Sequence, residues 1–162
     1  MSRAAPPTET EPIELGEDAR ELIAAELAHL VEGMPDERRL PFERLFSAVA
    51  TGQVEPELAP LLERVVGLAL DTGRARRLYR AEGERVLTDV FRRTPGGREL
   101  VRDVEAVNRA LGAALAGRAV RGVRVGMRTL GHFTVELEAE GVSLTLAVRK
   151  DGVAIESVGA GG

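Results

Sequence analysis

The chain has 162 residues, of which 44% are hydrophobic and 30% charged, and its formal net charge is −4. It contains no Cys, no Trp and a single Tyr, which excludes disulfides, thiolate chemistry and Cys-based zinc sites and leaves few aromatic platforms for bases or sugars. No apolar run reaches the length of a bilayer span and Met1–Gly16 has no apolar signal core, so the expected setting is cytoplasmic, with no membrane partner.

Residues 1–16, with Pro6, Pro7 and Pro12 among Thr and Glu, read as an acidic, Pro-rich disordered tail. A first helix is expected from Glu17 to about Glu32. Ala19, Leu22, Ile23, Leu27, Leu30 and Val31 form its apolar stripe, and Glu17 and Asp18 suit its positive N-terminal end. Gly33-Met34-Pro35 stops it. A second helix is expected to open at Pro41, where a missing N–H is harmless, and to end at Gly52. A third starts near Pro56 or Pro60 and runs to Asp71-Thr72-Gly73. The fourth, Arg74 to Arg93, is Arg-rich, with Gly83 weakening its middle. Thr94-Pro95-Gly96-Gly97 breaks the chain before a fifth helix from Arg98 to about Ala116.

Near Arg118–Gly122 the hydrophobic period changes from three-to-four to strict alternation, as on half-buried strands. Four strands follow, with apolar positions Val123, Val125, Met127; Phe133, Val135, Leu137, Ala139; Val142, Leu144, Leu146, Val148; and Val153, Ile155. Turns at Thr129-Leu130-Gly131, Glu140-Gly141 and Asp151-Gly152 pair Met127 with Phe133, Val123 with Leu137, Leu137 with Leu144, Val148 with Ile155, and Arg124 with Glu136. The expectation is one α+β domain over 17–158. About five helices (17–117) precede a four-stranded antiparallel meander (120–158) packed on them, and 159–162 is a flexible Gly-rich tail.

Charge is unevenly distributed. Residues 1–63 hold 14 acids and 5 arginines, a net of −9; residues 64–128 hold 7 acids and 15 arginines, a net of +8. Such a surface suits bidentate recognition of phosphate or carboxylate, or acidic and basic helices packed as neighbours.

Several constellations carry chemistry elsewhere. Glu26-x-x-His29 has di-iron spacing, but the other histidine, His132, sits on a strand, so no second pair exists. Asp71-Thr72-Gly73 matches the aspartic-protease tripeptide without its strand context and serves as a helix junction. The loop Arg92, Arg93, Gly96, Gly97, Arg98 is an anion-binding candidate, combining free amides at a helix start with three guanidinium groups; a plain turn is the simpler reading. Asn108 interrupts the stripe of the fifth helix, as an internal polar contact, a register-setting residue or a solvent-facing one. On the polar sheet face, Arg128, His132 and Arg149 cluster at one end and form an interaction candidate. Gly161-Gly162 resembles the ending of ubiquitin-like and sulfur-carrier proteins, over the tail alone.

No catalytic residue, metal site or cofactor is assigned. The reading is a non-enzymatic interaction or assembly protein that meets a protein partner or itself through charged helix faces or the polar sheet face. One alternative is a phosphate- or nucleic-acid-recognising protein using helix 74–93 and the Thr94–Arg98 loop, against which acidity and scarce aromatics count. Another is a ligand-binding protein or enzyme with a pocket between helices and sheet.

Overall fold

The computed structural model describes residues 11–160. The class is α+β, with five helices followed by a four-stranded antiparallel sheet. The chain divides into two compact units, the boundary falling between Arg98 and Glu99.

The first unit opens with β1 (Ile13–Glu14), which pairs antiparallel with β2 (Gln53–Val54). Ile13 and Leu15 are buried, a correction to the tail expected over 1–16. The Pro- and Glu-rich composition there hides two apolar side chains that reach a core. Residues 1–10 and 161–162 lie outside the described residues.

Helix α1 (Glu17–Val31) buries Ala19, Ile23 and Leu27. Helix α2 (Asp36–Thr51) begins five residues before the expected Pro41, which lies inside it. Asp36 and Glu37 in its first turn favour the helix dipole, and that turn outruns the break signalled by the proline. A 3-10 turn (Pro56–Leu58) leads into α3 (Ala59–Asp71), so both candidate start points are used. These elements and α4 (Arg74–Phe91) enclose a core that includes Ile23, Leu27, Leu45, Leu62, Val66 and Leu87.

Helix α4 is interrupted at Arg80, whose φ of 62° and ψ of −167° are not helical. The break lies three residues before Gly83, the residue expected to weaken the middle of the helix. Gly83 accommodates it, because a Cβ there would meet Tyr79 Cβ at 2.2 Å.

Helix α5 (Pro95–Leu115) starts earlier than the expected Arg98. Thr94 Oγ1 accepts the Gly97 N–H at 3.3 Å and donates to the Phe91 carbonyl at 2.7 Å. Thr94 thus caps a helix with proline in its first position, and the apparent break is a helix start. A Cβ on Gly97 would lie 1.8 Å from the Phe91 carbonyl oxygen, so the close α4–α5 approach depends on glycine.

The second unit holds the sheet, in the order β3 (Val120–Thr129), β4 (His132–Ala139), β5 (Val142–Arg149), β6 (Gly152–Gly159). Val123↔Leu137, Arg124↔Glu136, Met127↔Phe133 and Leu137↔Leu144 pair as expected. The last hairpin differs. Arg149 pairs with Gly152, so Lys150-Asp151 is the turn, and Val148 meets Val153 while Leu146 meets Ile155. An unpaired Glu156 then restores alternation and sets Val158 opposite Leu144. Gly159, expected in the tail, pairs with Ser143. Leu111, Ala114 and Leu115 of α5 cover Leu137, Ala139, Val142 and Leu144.

Two substitutions test the α4 and α5 backbone. Gly97→Ala is expected to cost at least about 3 kcal/mol, because the new methyl meets a carbonyl that cannot move alone. Arg80→Gly is expected to stabilise by about 1 kcal/mol by relieving a positive φ on a branched-off side chain's backbone. Urea unfolding of the two variants beside the parent measures both.

Candidate interaction surface

The Glu26–His29 pair separates across α1. His29 is exposed beside Glu32, whereas Glu26 is only 3% exposed. Arg74 Nε donates to both Glu26 carboxylate oxygens, at 3.1 and 2.9 Å, and the Tyr79 hydroxyl donates to Oε1 at 2.5 Å. Burial, then the hydrogen bond to Glu26, push the Tyr79 pKa up from 10.0 to about 12. This triad is an internal clamp between α1 and α4, with every partner inside the first unit. Sequence reading missed it, although Glu26 stands where the stripe Ile23, Leu27, Leu30 should be apolar.

At the Thr94–Arg98 loop, the Gly96 N–H donates to Glu63 Oε2 of α3 at 2.6 Å. The place expected for an external anion is held by the chain's own carboxylate. Arg93 donates to the Glu14 carbonyl and to the Asp89 carbonyl at 3.1 Å, Arg98 Nε to the Arg93 carbonyl at 2.8 Å, and Arg92 pairs with Asp89 at 3.2 Å. Elsewhere on α4, Arg76 pairs with Glu84 at 2.7 Å and Arg85 with Glu82 at 2.5 Å. Arg74, Arg76 and Arg85 of this helix are thus answered by acids within the same unit. Asn108 is exposed, and Thr72 and Gly73 form the expected junction after α3, with Thr72 Oγ1 donating to the Leu68 carbonyl at 2.7 Å.

On the polar sheet face the structure brings Arg128, His132 and Arg149 together around a fourth residue, Glu156. Arg128 Nη2 lies 2.9 Å from Oε2, Arg149 Nη2 3.3 Å from Oε1, and His132 Nε2 4.0 Å from Oε1. Arg128 and Glu156 are both extra residues in their strands. They belong to the two outer strands yet meet over the inner pair. The row beneath is Gly126, Thr134, Ala147, Ala154, small enough for the long side chains to lie flat on it. Thr134 and Ala147 are consequently buried. Alternation puts Glu156 on this polar face too; that it holds Arg128 and Arg149 depends on side-chain reach across the sheet, which register alone does not give.

The opposite face is open along β3. Val123, Val125 and Met127 are 60%, 66% and 63% exposed. Phe133 and Val148, in the same cross-strand row as Met127, continue the exposed strip across the next two strands. A further insertion, at Arg121, places Val120 opposite Ala139 on this face, and Val120 is also exposed. Contiguous apolar surface of this kind is uncommon on globular domains. Alternation identified these side chains in the sequence; that α5 leaves them uncovered within their unit follows from the few α5 side chains on the sheet.

The first unit also carries a largely apolar groove of about 550 Å³ whose lining includes Leu30, Phe42, Leu68 and Phe91 together with the charged Glu63, Arg64 and Asp71. Among the described residues, no buried side-chain nitrogen or oxygen lacks a hydrogen-bond partner. Among the described residues, no group of three or more His, Asp or Glu is placed to hold a metal ion, and no helix is long and apolar enough to cross a membrane. The groove therefore presents no buried polar group waiting for a ligand.

The clamp yields a graded expectation. Arg74→Met leaves a buried carboxylate without its cation and is expected to cost about 3–5 kcal/mol. Tyr79→Phe removes one hydrogen bond to a charged group, about 1.5 kcal/mol. Because the folded state holds the Tyr79 proton more tightly than the unfolded chain, that contribution is complete below pH 10.0 and is lost as pH rises towards about 12. Denaturant melts across this window should fall more steeply for the parent than for Tyr79→Phe. No protein-family model matches the chain, and neither does any curated protein or any solved structure.

Proposed function

We propose that this chain is a non-enzymatic, cytoplasmic protein-interaction module whose working surface is the open apolar side of β3. The observation that carries this reading is the exposure of Val123, Val125 and Met127 on an outer strand. Burying such side chains is worth about 1.5–3 kcal/mol each as an upper estimate, so leaving a row of them in water is a standing free-energy cost that a partner would remove. The polar sheet face fits the contact role less well, because its cations already converge on Glu156. The phosphate reading is weakened in the same way by Glu63 at the Gly96 amide.

A photo-crosslinking residue in place of Val125 tests the reading in the cells that make the protein. Discrete protein adducts are expected there and not from the same residue in place of Arg44, which is exposed on α2. Equal, diffuse labelling at the two positions would remove the basis for the proposal.

A further inference from the structure

The outer edge of β3 has no partner strand among the described residues. Exposed edges of this kind add a strand from another chain readily, because their backbone N–H and C=O groups are already aligned. Proteins usually blunt them. Here the blunting devices are the insertions at Arg121 and Arg128, and between them residues 122–127 pair regularly with β4. That regular run is the part of the edge able to accept another strand.

Its sequence decides which strand. In a two-fold antiparallel pair of identical strands, the choice of central residue sets every opposition. Centred on Arg124, two guanidinium groups face each other directly, which is destabilising. Centred on Gly126, only residues 125–127 of the regular run overlap. A centre between two residues sets apolar side chains against polar ones, since facing residues share a side of the sheet. Centres at Val123 or Met127 oppose Val125 to Arg121 or Thr129.

Centred on Val125, these conflicts disappear. Val125 meets its own copy, Val123 meets Met127, and Arg124 meets Gly126. Arg124 thus faces a glycine, across which its aliphatic stem can lie. A Cβ on Gly126 would lie 3.0 Å from Thr134 Oγ1, so that glycine is needed within the chain as well. Gly122 is not. A Cβ there would meet Glu138 at an ordinary 3.6 Å, and a glycine inside a strand is otherwise unfavourable unless another backbone or side chain approaches it.

We infer that the partner of the β3 surface is a second copy of this chain, joined by antiparallel β3–β3 pairing about a two-fold axis at Val125 into a continuous eight-stranded sheet. The inference rests on the interaction reading above and names its partner. In the dimer the two exposed strips merge on one side, and each covers the flank of the other.

The absence of native cysteine makes the register directly measurable, because a single introduced thiol reports alone. Facing Cα atoms in such a pair lie about 4.5–5.5 Å apart, within disulfide range. The full-length Val125→Cys variant is expected to form a disulfide-linked dimer under mild oxidation. Val123→Cys and Met127→Cys should each do so poorly alone but well when mixed. Val125→Lys should stay folded, since the site is exposed in the single chain, and should sediment as a monomer at concentrations where the parent is a dimer, with a melting temperature lowered only by the loss of the dimer.

A parent that stays monomeric over the concentration series overturns the inference. So does cross-linking of Val125→Cys no faster than of Leu130→Cys, which is 95% exposed at a turn, or equal self-linking of the three β3 variants. The photo-adduct masses separate the two levels. Adducts with other proteins and none at twice the chain mass end the dimer and leave the interaction surface standing, whereas no discrete adducts end both.

Discussion

Strand parity governs the second unit. A strand turns successive side chains to opposite faces, so an apolar row survives only while its spacing stays even. Val120 to Val123 and Ile155 to Val158 break that rule by one residue each. The structure answers each break with one extra residue, Arg121 in β3 and Glu156 in β6. A third, Arg128, brings the chain out of β3 towards the turn. The insertions are all charged, and two of them form the ion pair that spans the sheet. One device thus separates an apolar face from a polar one and supplies the side chains that close the polar face.

The first unit solves a different problem. It is dense in charge, with acids concentrated on α1, both signs balanced on α2 and arginines in excess on α4. Exposed pairs contribute little individually. The exception is Glu26, where a carboxylate has been taken almost out of water. Such a group needs its cation and its hydroxyl, and supplying both ties the start of α4 and the residue just before the Arg80 interruption to the middle of α1. The break in α4 and the clamp are therefore parts of one local arrangement.

Most of the architecture was legible in the residues. The change of period near Arg118 marks the passage from helix to sheet, and alternation alone pairs Met127 with Phe133, Val123 with Leu137 and Leu137 with Leu144. Val148 is the exception, because Asp151-Gly152 has the composition of a turn while Gly152 opens the strand. Ile13 and Leu15 were hidden by the prolines before them, because composition averages over the side chains that matter. Pro41 marked a boundary that the acidic turn at Asp36 overrode. The convergence of Arg128, His132 and Arg149 was visible from register alone. Glu63 at Gly96 was not, since nothing local connects residues 33 apart.

The row Gly126, Thr134, Ala147, Ala154 also determines how the polar face can change by mutation. These positions look permissive, being small and uncharged. Yet any larger side chain at Ala147, 1% exposed, would fill the space on which Arg128 and Glu156 lie and part them. Two arginines would then stand apart from their shared acid, with guanidinium donors open to another acceptor while the face kept its net charge. A single apolar substitution, adding no charge, would change how the charges of the surface are arranged, so the contacts open to descendants of this sheet are held by its smallest residues.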